Sequence, residues 1–200
     1  DLDGTAGAIA AMSPDVVALQ EVDAGRRRSR RMHQAQYLAD RLGMRHHFFP
    51  LIDDDGGQYG LAVLSRFPLS NPALRCLPAA PSLRSREPRG VLAVDLDTPL
   101  GFIRLLNTHF SLAAADRALQ VQCLIDDPCF IRAGQAPANT VVLCGDFNAG
   151  PGSPVYRRLA HLLVDATKAA AQRNHAPPTF PSWRPLRRID YIFISGHLRP

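Results

Sequence analysis

Five polar residues stand where apolar strand segments give way to turns. Glu21 closes the stretch Val17-Ala18-Leu19-Gln20-Glu21, and His109 closes the run that begins at Phe102. Asp146 and Asn148 follow Val141-Val142-Leu143-Cys144, and Asp190 is second in Ile189-Asp190-Tyr191-Ile192-Phe193-Ile194. Alternate residues of a strand share a face, which predicts Glu21 beside Val17 and Leu19, Asn107 beside His109, and Asp146 beside Asn148 with Phe147 turned inward. An ionised carboxylate in a run such as 189–194 costs several kcal/mol unless it is paired. Asp190 therefore calls for a cation or an imidazole, and Arg187 and Arg188 are the neighbouring cations.

Each of these residues has an ordinary structural reading when taken alone: a solvated strand-end carboxylate, a core histidine, an Asx turn. Their value lies in combination. If the strand ends converge on one edge, as they do in open α/β structures, Glu21, His109, Asp146, Asn148 and Asp190 meet in one cleft. Oxygen ligands with few imidazoles suit Mg²⁺ or Mn²⁺ rather than zinc. The implied chemistry is phosphoryl transfer to water. A cation on Glu21 polarises a phosphate oxygen, Asp146 orients or deprotonates the water, and His109 and Asn148 hydrogen-bond the charge that builds on the phosphate.

The elements that must position these groups can be read from periodicity and punctuation. Helical spacing covers 5–12, 29–42 (with Met32, Ala35, Tyr37, Leu38 and Leu42 inward and Gly43 as the stop) and 113–125. A further helix opens sharply at Ser153-Pro154, a cap followed by proline at the first position, and runs to about Leu162. Strands are predicted at 16–19, 45–51, 59–65, 73–77, 90–96, 101–107, 140–144 and 189–195, with a loop over 128–138. This order is neither a strict βαβ alternation nor an all-β pattern, and it predicts mixed sheets flanked by helices in one domain, 1–200.

Composition bounds the class. Of 200 residues 46% are hydrophobic and 20% charged, and no apolar run approaches the ~18 residues of a membrane helix, so a transmembrane or disordered chain is disfavoured. The net charge of +5 favours anionic, phosphate-bearing partners, although lysine occurs only once, as Lys168, and the arginine content is partly compositional. Four cysteines without a C-x-x-C pair read as reduced thiols, which makes a reducing, cytoplasmic compartment the default. The chain opens on Asp1 without a Met or a signal peptide and stops soon after a strand, so both ends read as cut. No stable protein partner is evident. The arginines at 26–31 are expected on a solvated face or as an electrostatic guide, Asp53–Asp55 in an exposed turn, His46-His47 in packing, and Trp183 against a sheet.

Five segments in order, Leu19-Gln20-Glu21-Val22, Leu64-Ser65-Arg66-Phe67-Pro68, Asn107-Thr108-His109, Gly145-Asp146-Phe147-Asn148 and Arg188-Ile189-Asp190-Tyr191, resemble the motifs of the endonuclease/exonuclease/phosphatase family. The resemblance spans nearly the whole chain and implies an α/β four-layer sandwich, two mixed β-sheets flanked by helices, with Mg²⁺- or Mn²⁺-dependent hydrolysis of phosphoester bonds. It makes Glu21 the metal-binding glutamate, Asp146 the water-positioning aspartate, Asn148 the phosphate-contacting asparagine, His109 the first histidine and Asp190 the aspartate that holds a second histidine. Arg86-Glu87-Pro88-Arg89 resembles a segment that carries a phosphate-contacting arginine, which makes Arg86 and Arg89 substrate-binding candidates.

Three departures accompany the resemblance. Nothing before Asp1 supplies the asparagine of the family's first strand, the Ser-Asp-His motif expected some tens of residues after Asp190 is missing, with His197 too close to serve, and Leu61 stands where many members have asparagine. The domain is therefore expected to lack its first and last core strands. The substrate implied is a nucleic acid, a phospholipid headgroup or a small phosphodiester. The alternative is a catalytically inactive phosphate- or nucleic-acid-binding module on the same scaffold.

Overall fold

A computed structural model describes residues 1–81, 87–127, 140–171 and 176–200. The expected loop over 128–138 lies outside the described residues, as does Arg86. The chain begins with α1 (Leu2–Met12), β1 (Val16–Ala24), a 3-10 turn (Arg27–Ser29), α2 (Gln34–Leu42), β2 (Arg45–Asp54) and β3 (Gly57–Ser65). It continues through β4 (Leu69–Leu77), β5 (Arg89–Thr98), β6 (Gly101–His109), α3 (Ala114–Asp126), β7 (Thr140–Asp146), α4 (Pro154–Ala160), β8 (Val164–Asp165), α5 (Ala166–Ala171) and β9 (Asp190–Ile194).

The strands form two sheets. One is antiparallel, in the order β1-β3-β2, and the other has the order β4-β5-β6-β7-β9-β8 with a single parallel pair, β6 and β7. Only the second is mixed among the described residues. Three apolar clusters define the layers. Ala6, Leu38, Ala39, Val22, Ala62 and Leu64 join α1 and α2 to the first sheet. Leu61, Val63, Leu92, Val94 and Leu105 fill the space between the sheets. On the outer face of the second sheet, Leu106, Leu143 and Phe193 meet Val121 and Leu124 of α3 and Leu159 of α4. The result is a helix, sheet, sheet, helix sandwich, built because the central strands, such as β3, β5 and β7, carry buried apolar residues on both faces. No described helix is long and apolar enough to cross a membrane.

Several expectations are corrected. The helix read over 29–42 begins only at Gln34, with the His33 ring accepting from the Gln36 amide at 3.3 Å as its cap. The preceding arginines are committed elsewhere. Arg26 pairs with Asp54 at 3.0 Å and Arg27 with Asp55 at 3.2 Å, while Arg31 donates to the carbonyls of Gly25, Asp55 and Gly56. The Asp53–Asp55 turn and the arginine cluster are thus two halves of one clasp, and Arg30 and Arg31 adopt left-handed φ values of 55° and 61° that a helix does not permit. Trp183, expected against a sheet, is 81% exposed. By contrast α4 starts as its sequence predicts, with the Ser153 hydroxyl accepting from Tyr156 N at 3.1 Å and Pro154 in the first turn. Cys76, Cys123 and Cys144 are free thiols.

Candidate active site

Register places the polar residues side by side. In the parallel β6–β7 pair His109 lies opposite Asp146, and in the antiparallel β7–β9 pair Asp146 lies opposite Asp190. Because β9 runs against β7, Asp190 begins its strand where Asp146 ends its own, and the three residues form one row at one edge of the second sheet. Gly145 makes this approach possible: its φ is +141°, and a Cβ there would collide with the Thr108 carbonyl of the neighbouring strand.

Beyond Asp146 the chain turns sharply. The Asn148 amide donates to Asp146 Oδ1 at 2.7 Å, an Asx turn with Asn148 at φ +48°, and Asn148 Nδ2 donates to the Phe110 carbonyl at 2.9 Å. Phe110 N reaches back to the Asp146 carbonyl and Phe147 N to the Ile189 carbonyl, both at 2.9 Å. The Phe147 ring packs inward, 1% exposed, against Phe110, Tyr191 and Phe193. The Asp146-Phe147-Asn148 segment is therefore wired to both neighbouring strands and held from below.

Glu21 arrives from the other sheet by an irregular route. A bulge between Leu19 and Val22 gives Glu21 a φ of +58° and breaks the period of two, so the residue is exposed instead of sharing a face with Val17 and Leu19. That overturns the strand-alternation expectation. Its charge nevertheless reaches the row. Asp146 is pushed up to about 6, first by burial and then by the negative charges of Asp190 and Glu21, against the lowering effect of the Asn148 amide and Arg89. The charges of Asp190 and Glu21 are therefore both felt at Asp146.

The residues that hold Glu21 there were not identified from the sequence as site residues. Asn107, fully buried, donates from Nδ2 to the carbonyls of Leu19 at 2.8 Å and Ala62 at 2.9 Å, and accepts from Gln20 Nε2 at 2.6 Å. It bolts the two sheets together across the bulge. The available signal was an amide directly after the apolar pair Leu105-Leu106 of a strand, which burial obliges to find several partners.

His109 is 4% exposed. Its Nδ1 lies 3.0 Å from Arg89 Nη1, and its Nε2 lies 3.7 Å from Asp146 Oδ2. Burial, reinforced by the Arg89 charge, pulls the ring down to about 4. Arg89 is itself buried and donates to Glu87 Oε1 at 2.8 Å. Burial and the charges of Glu21 and Glu87 push the Tyr59 phenol up beside them. A cavity of about 210 Å³ opens here, lined by Glu87, Arg89, Ser111, Leu112 and Ala113.

Asp190 does not pair with either neighbouring arginine. Arg188 is buried in a bidentate pair with Asp165, at 2.7 and 2.8 Å, which Tyr156 completes through its hydroxyl at 2.9 Å. Arg187 is exposed and lies over the Phe180 ring. The Asp190 amide donates to Thr179 Oγ1 at 3.3 Å. Asp165 belongs to the two-residue β8, too short for any periodicity to reveal. A cavity of about 490 Å³ between β1 and the second sheet, lined by Ala18, Gln20, Cys144, Gly145 and Tyr191 among others, reaches Asp190. His197 bonds Thr140 at 3.0 Å, at the far end of β7 from Asp146, and Leu61 is buried between the sheets.

Among the described residues no group of three His, Cys, Asp or Glu side chains closes around one point to hold a metal ion unaided. The donor set is carboxylate oxygen with one amide, which fits a hard cation held by one or two carboxylates and completed by water and phosphate oxygens.

Solved structures share this architecture. The human nocturnin catalytic domain, determined with a bound sulfate anion, is 26% identical with a TM-score of 0.69, and the match covers 98% of this chain and 74% of that one. A mannosyl-6-phosphatase from Bacteroides thetaiotaomicron is 17% identical with a TM-score of 0.76, covering 99% and 77%. An endonuclease/exonuclease/phosphatase from Beutenbergia cavernae is 23% identical with a TM-score of 0.67, covering 98% of this chain but 59% of its own length, so the present chain spans less than two thirds of that protein. The comparison with curated proteins gave no match. The model of the Endonuclease/Exonuclease/phosphatase family matches residues 1–200, from the first helix through the strand that carries Asp190, and the chain belongs to that family.

Proposed function

We propose that this protein hydrolyses phosphoester bonds with the help of Mg²⁺ or Mn²⁺, in the row of His109, Asp146 and Asp190 with Glu21 facing it. The observation that carries the reading is the adjacency of His109, Asp146 and Asp190 in register, with Asp146 pushed up to about 6 partly by the charges of Asp190 and Glu21. A carboxylate near that value is half ionised at mildly acidic pH and basic enough to take a proton from water at neutral pH. Family membership and the phosphatase named among the structural neighbours support the reaction class.

Glu21 would hold the cation, which supplies positive charge against the phosphate when bound. Asp146 orients the attacking water and accepts its proton at Oδ2, while the Asn148 amide holds Oδ1 and fixes the carboxylate plane. His109 and Asn148 donate to phosphoryl oxygens as charge accumulates in the transition state. Asp190 would orient a histidine, as the family resemblance implies. Arg89, expected to touch the phosphate, is buried against His109 and Glu87.

The test uses the full-length protein against nucleic acid, phosphoinositide, sphingomyelin and aryl phosphodiester substrates, with Mg²⁺ or Mn²⁺ and with EDTA. Hydrolysis abolished by EDTA is expected. EDTA-insensitive hydrolysis contradicts the cation assignment, and salt-dependent binding without turnover on the whole panel identifies a phosphate-binding module instead.

A further inference from the structure

We propose that Arg89 is a positioning residue that locks His109 in the neutral form carrying its proton on Nε2, so that this ring serves the site as a hydrogen-bond donor and not as a base. The chemistry follows from one contact. A guanidinium has five N–H donors and no acceptor, so the 3.0 Å approach of Arg89 Nη1 to His109 Nδ1 is a hydrogen bond only if Nδ1 offers its lone pair. The single proton of the neutral ring must then sit on Nε2, the nitrogen that faces Asp146.

A carboxylate in the place of Arg89 would do the opposite. It would accept from an Nδ1–H and leave Nε2 with a free lone pair, which is the arrangement of a histidine base. The sign of the group behind the ring thus decides what the front of the ring can do. At the front, Asp146 Oδ2 stands 3.7 Å from Nε2, beyond hydrogen-bonding reach, so the donor is aimed at the row without being consumed by it. Arg89 cannot drift away from this task. It is 7% exposed, and the same Nη1 donates to Glu87 Oε1 at 2.8 Å, which tethers the guanidinium from the other side.

The division of labour is then fixed by polarity. Asp146 is the acceptor of the water proton, and His109 is a donor to developing negative charge. The kinetic part of this inference rests on the hydrolase reading, whereas the tautomer stands or falls independently of it.

The tautomer can be read directly from two-bond proton–nitrogen correlation spectra of the full-length protein labelled with ¹⁵N-histidine, with the His109 signals assigned by their loss in His109→Gln. The expected result near pH 7 is a protonated Nε2 and an unprotonated, hydrogen-bonded Nδ1 at His109. A protonated Nδ1, or a doubly protonated ring, overturns the proposal whether or not any substrate is found. Arg89→Met removes the donor at similar volume and is expected to mix the tautomers and lower kcat by roughly 10–100-fold with KM little changed, by analogy with the loss of hydrogen-bond partners behind metal-ligating histidines. Arg89→Lys, which retains a donor, is expected to recover the Nε2–H form and a larger share of kcat than Arg89→Met. An unchanged tautomer in Arg89→Met with the loss confined to KM would assign Arg89 to the phosphate itself and overturn the positioning role. If Arg89→Met does not fold, the wild-type spectrum alone still decides.

Discussion

At the level of single residues, Asp146 and His109 titrate in opposite senses, and both shifts come mainly from burial. The Asp146 carboxylate, raised from 3.8 to about 6, adds no penalty below pH ~3.8, where both folded and unfolded chains are protonated, and its full penalty above pH ~6. The His109 ring, lowered from 6.5 to about 4, adds none above pH ~6.5 and increasingly destabilises the fold as pH falls towards 4. Between about 4 and 6 their pH dependences oppose one another, one penalty fading as the other grows. Asp146→Asn should therefore stabilise the cation-free protein by about 1–2 kcal/mol at pH 7, after allowance for partial exposure, and by nothing at pH 3.5. Urea denaturation of both proteins at the two pH values checks this, and a gain that persists at pH 3.5 would assign it to something other than charge burial. With a cation bound, its charge offsets those of Glu21 and Asp190, so the acid limb of kcat/KM should lie below the value of about 6 that Asp146 has without the cation, and a kcat/KM that does not fall at all on acidification would remove Asp146 from the role of base.

Glu21 supplies a second prediction at this scale. As an exposed carboxylate it contributes little to the fold, so Glu21→Gln should leave Tm in EDTA within ~2 °C of wild type. Mg²⁺ or Mn²⁺ should raise the wild-type Tm and have little effect on the variant. An equal rise in both proteins places the cation elsewhere. From the sequence, the identity of Glu21 as a candidate was legible but its orientation was not, because the period-of-two argument fails at a bulge whose neighbouring Gln20 bonds Asn107, 87 residues away along the chain.

At the level of elements, the site depends on contacts that fix strand ends. Asn107 satisfies two carbonyls and one side-chain amide across the sheets, and Asn107→Leu would remove all three bonds, the one to the buried Ala62 carbonyl at the greatest cost. A loss of about 2–4 kcal/mol in denaturant unfolding is expected. A neutral substitution would show that the inter-sheet bolt is dispensable. The buried Asp165–Arg188 pair anchors the start of β9, and removing one partner, as in Arg188→Met, should cost about 3–5 kcal/mol because the other charge stays buried and unpaired. Long periodic elements such as β3 and β5, and capped ones such as α4, were legible in the sequence because local signals and tertiary demands agree there. The start of α2, the two-residue β8 and α5 were not. The first is decided by arginines that prefer the β2–β3 turn to a helix, and the others are too short to carry a pattern.

At the level of the whole molecule, the sandwich brings together strand ends that are far apart in sequence. Residues 109, 146 and 190 form one row because the parallel β6–β7 pair and the antiparallel β9 present the same end, and the charge of Glu21 on β1 is felt at Asp146. That convergence was expected from the apolar runs that end in polar residues, and the order of sheets then places it. What a single sequence could not convey was polarity within the site: which carboxylate is buried, and that an arginine stands behind His109.

Turnover of a single phosphoester substrate by the full-length wild-type protein and by Asp146→Ala, with matched far-ultraviolet circular dichroism, tests the central claim most directly. Wild-type hydrolysis that requires Mg²⁺ or Mn²⁺, and a folded Asp146→Ala protein slowed by roughly a thousandfold or more, is the predicted result, as expected when a proton acceptor and its positioning of water are lost together. A folded Asp146→Ala protein that retains wild-type turnover would contradict it.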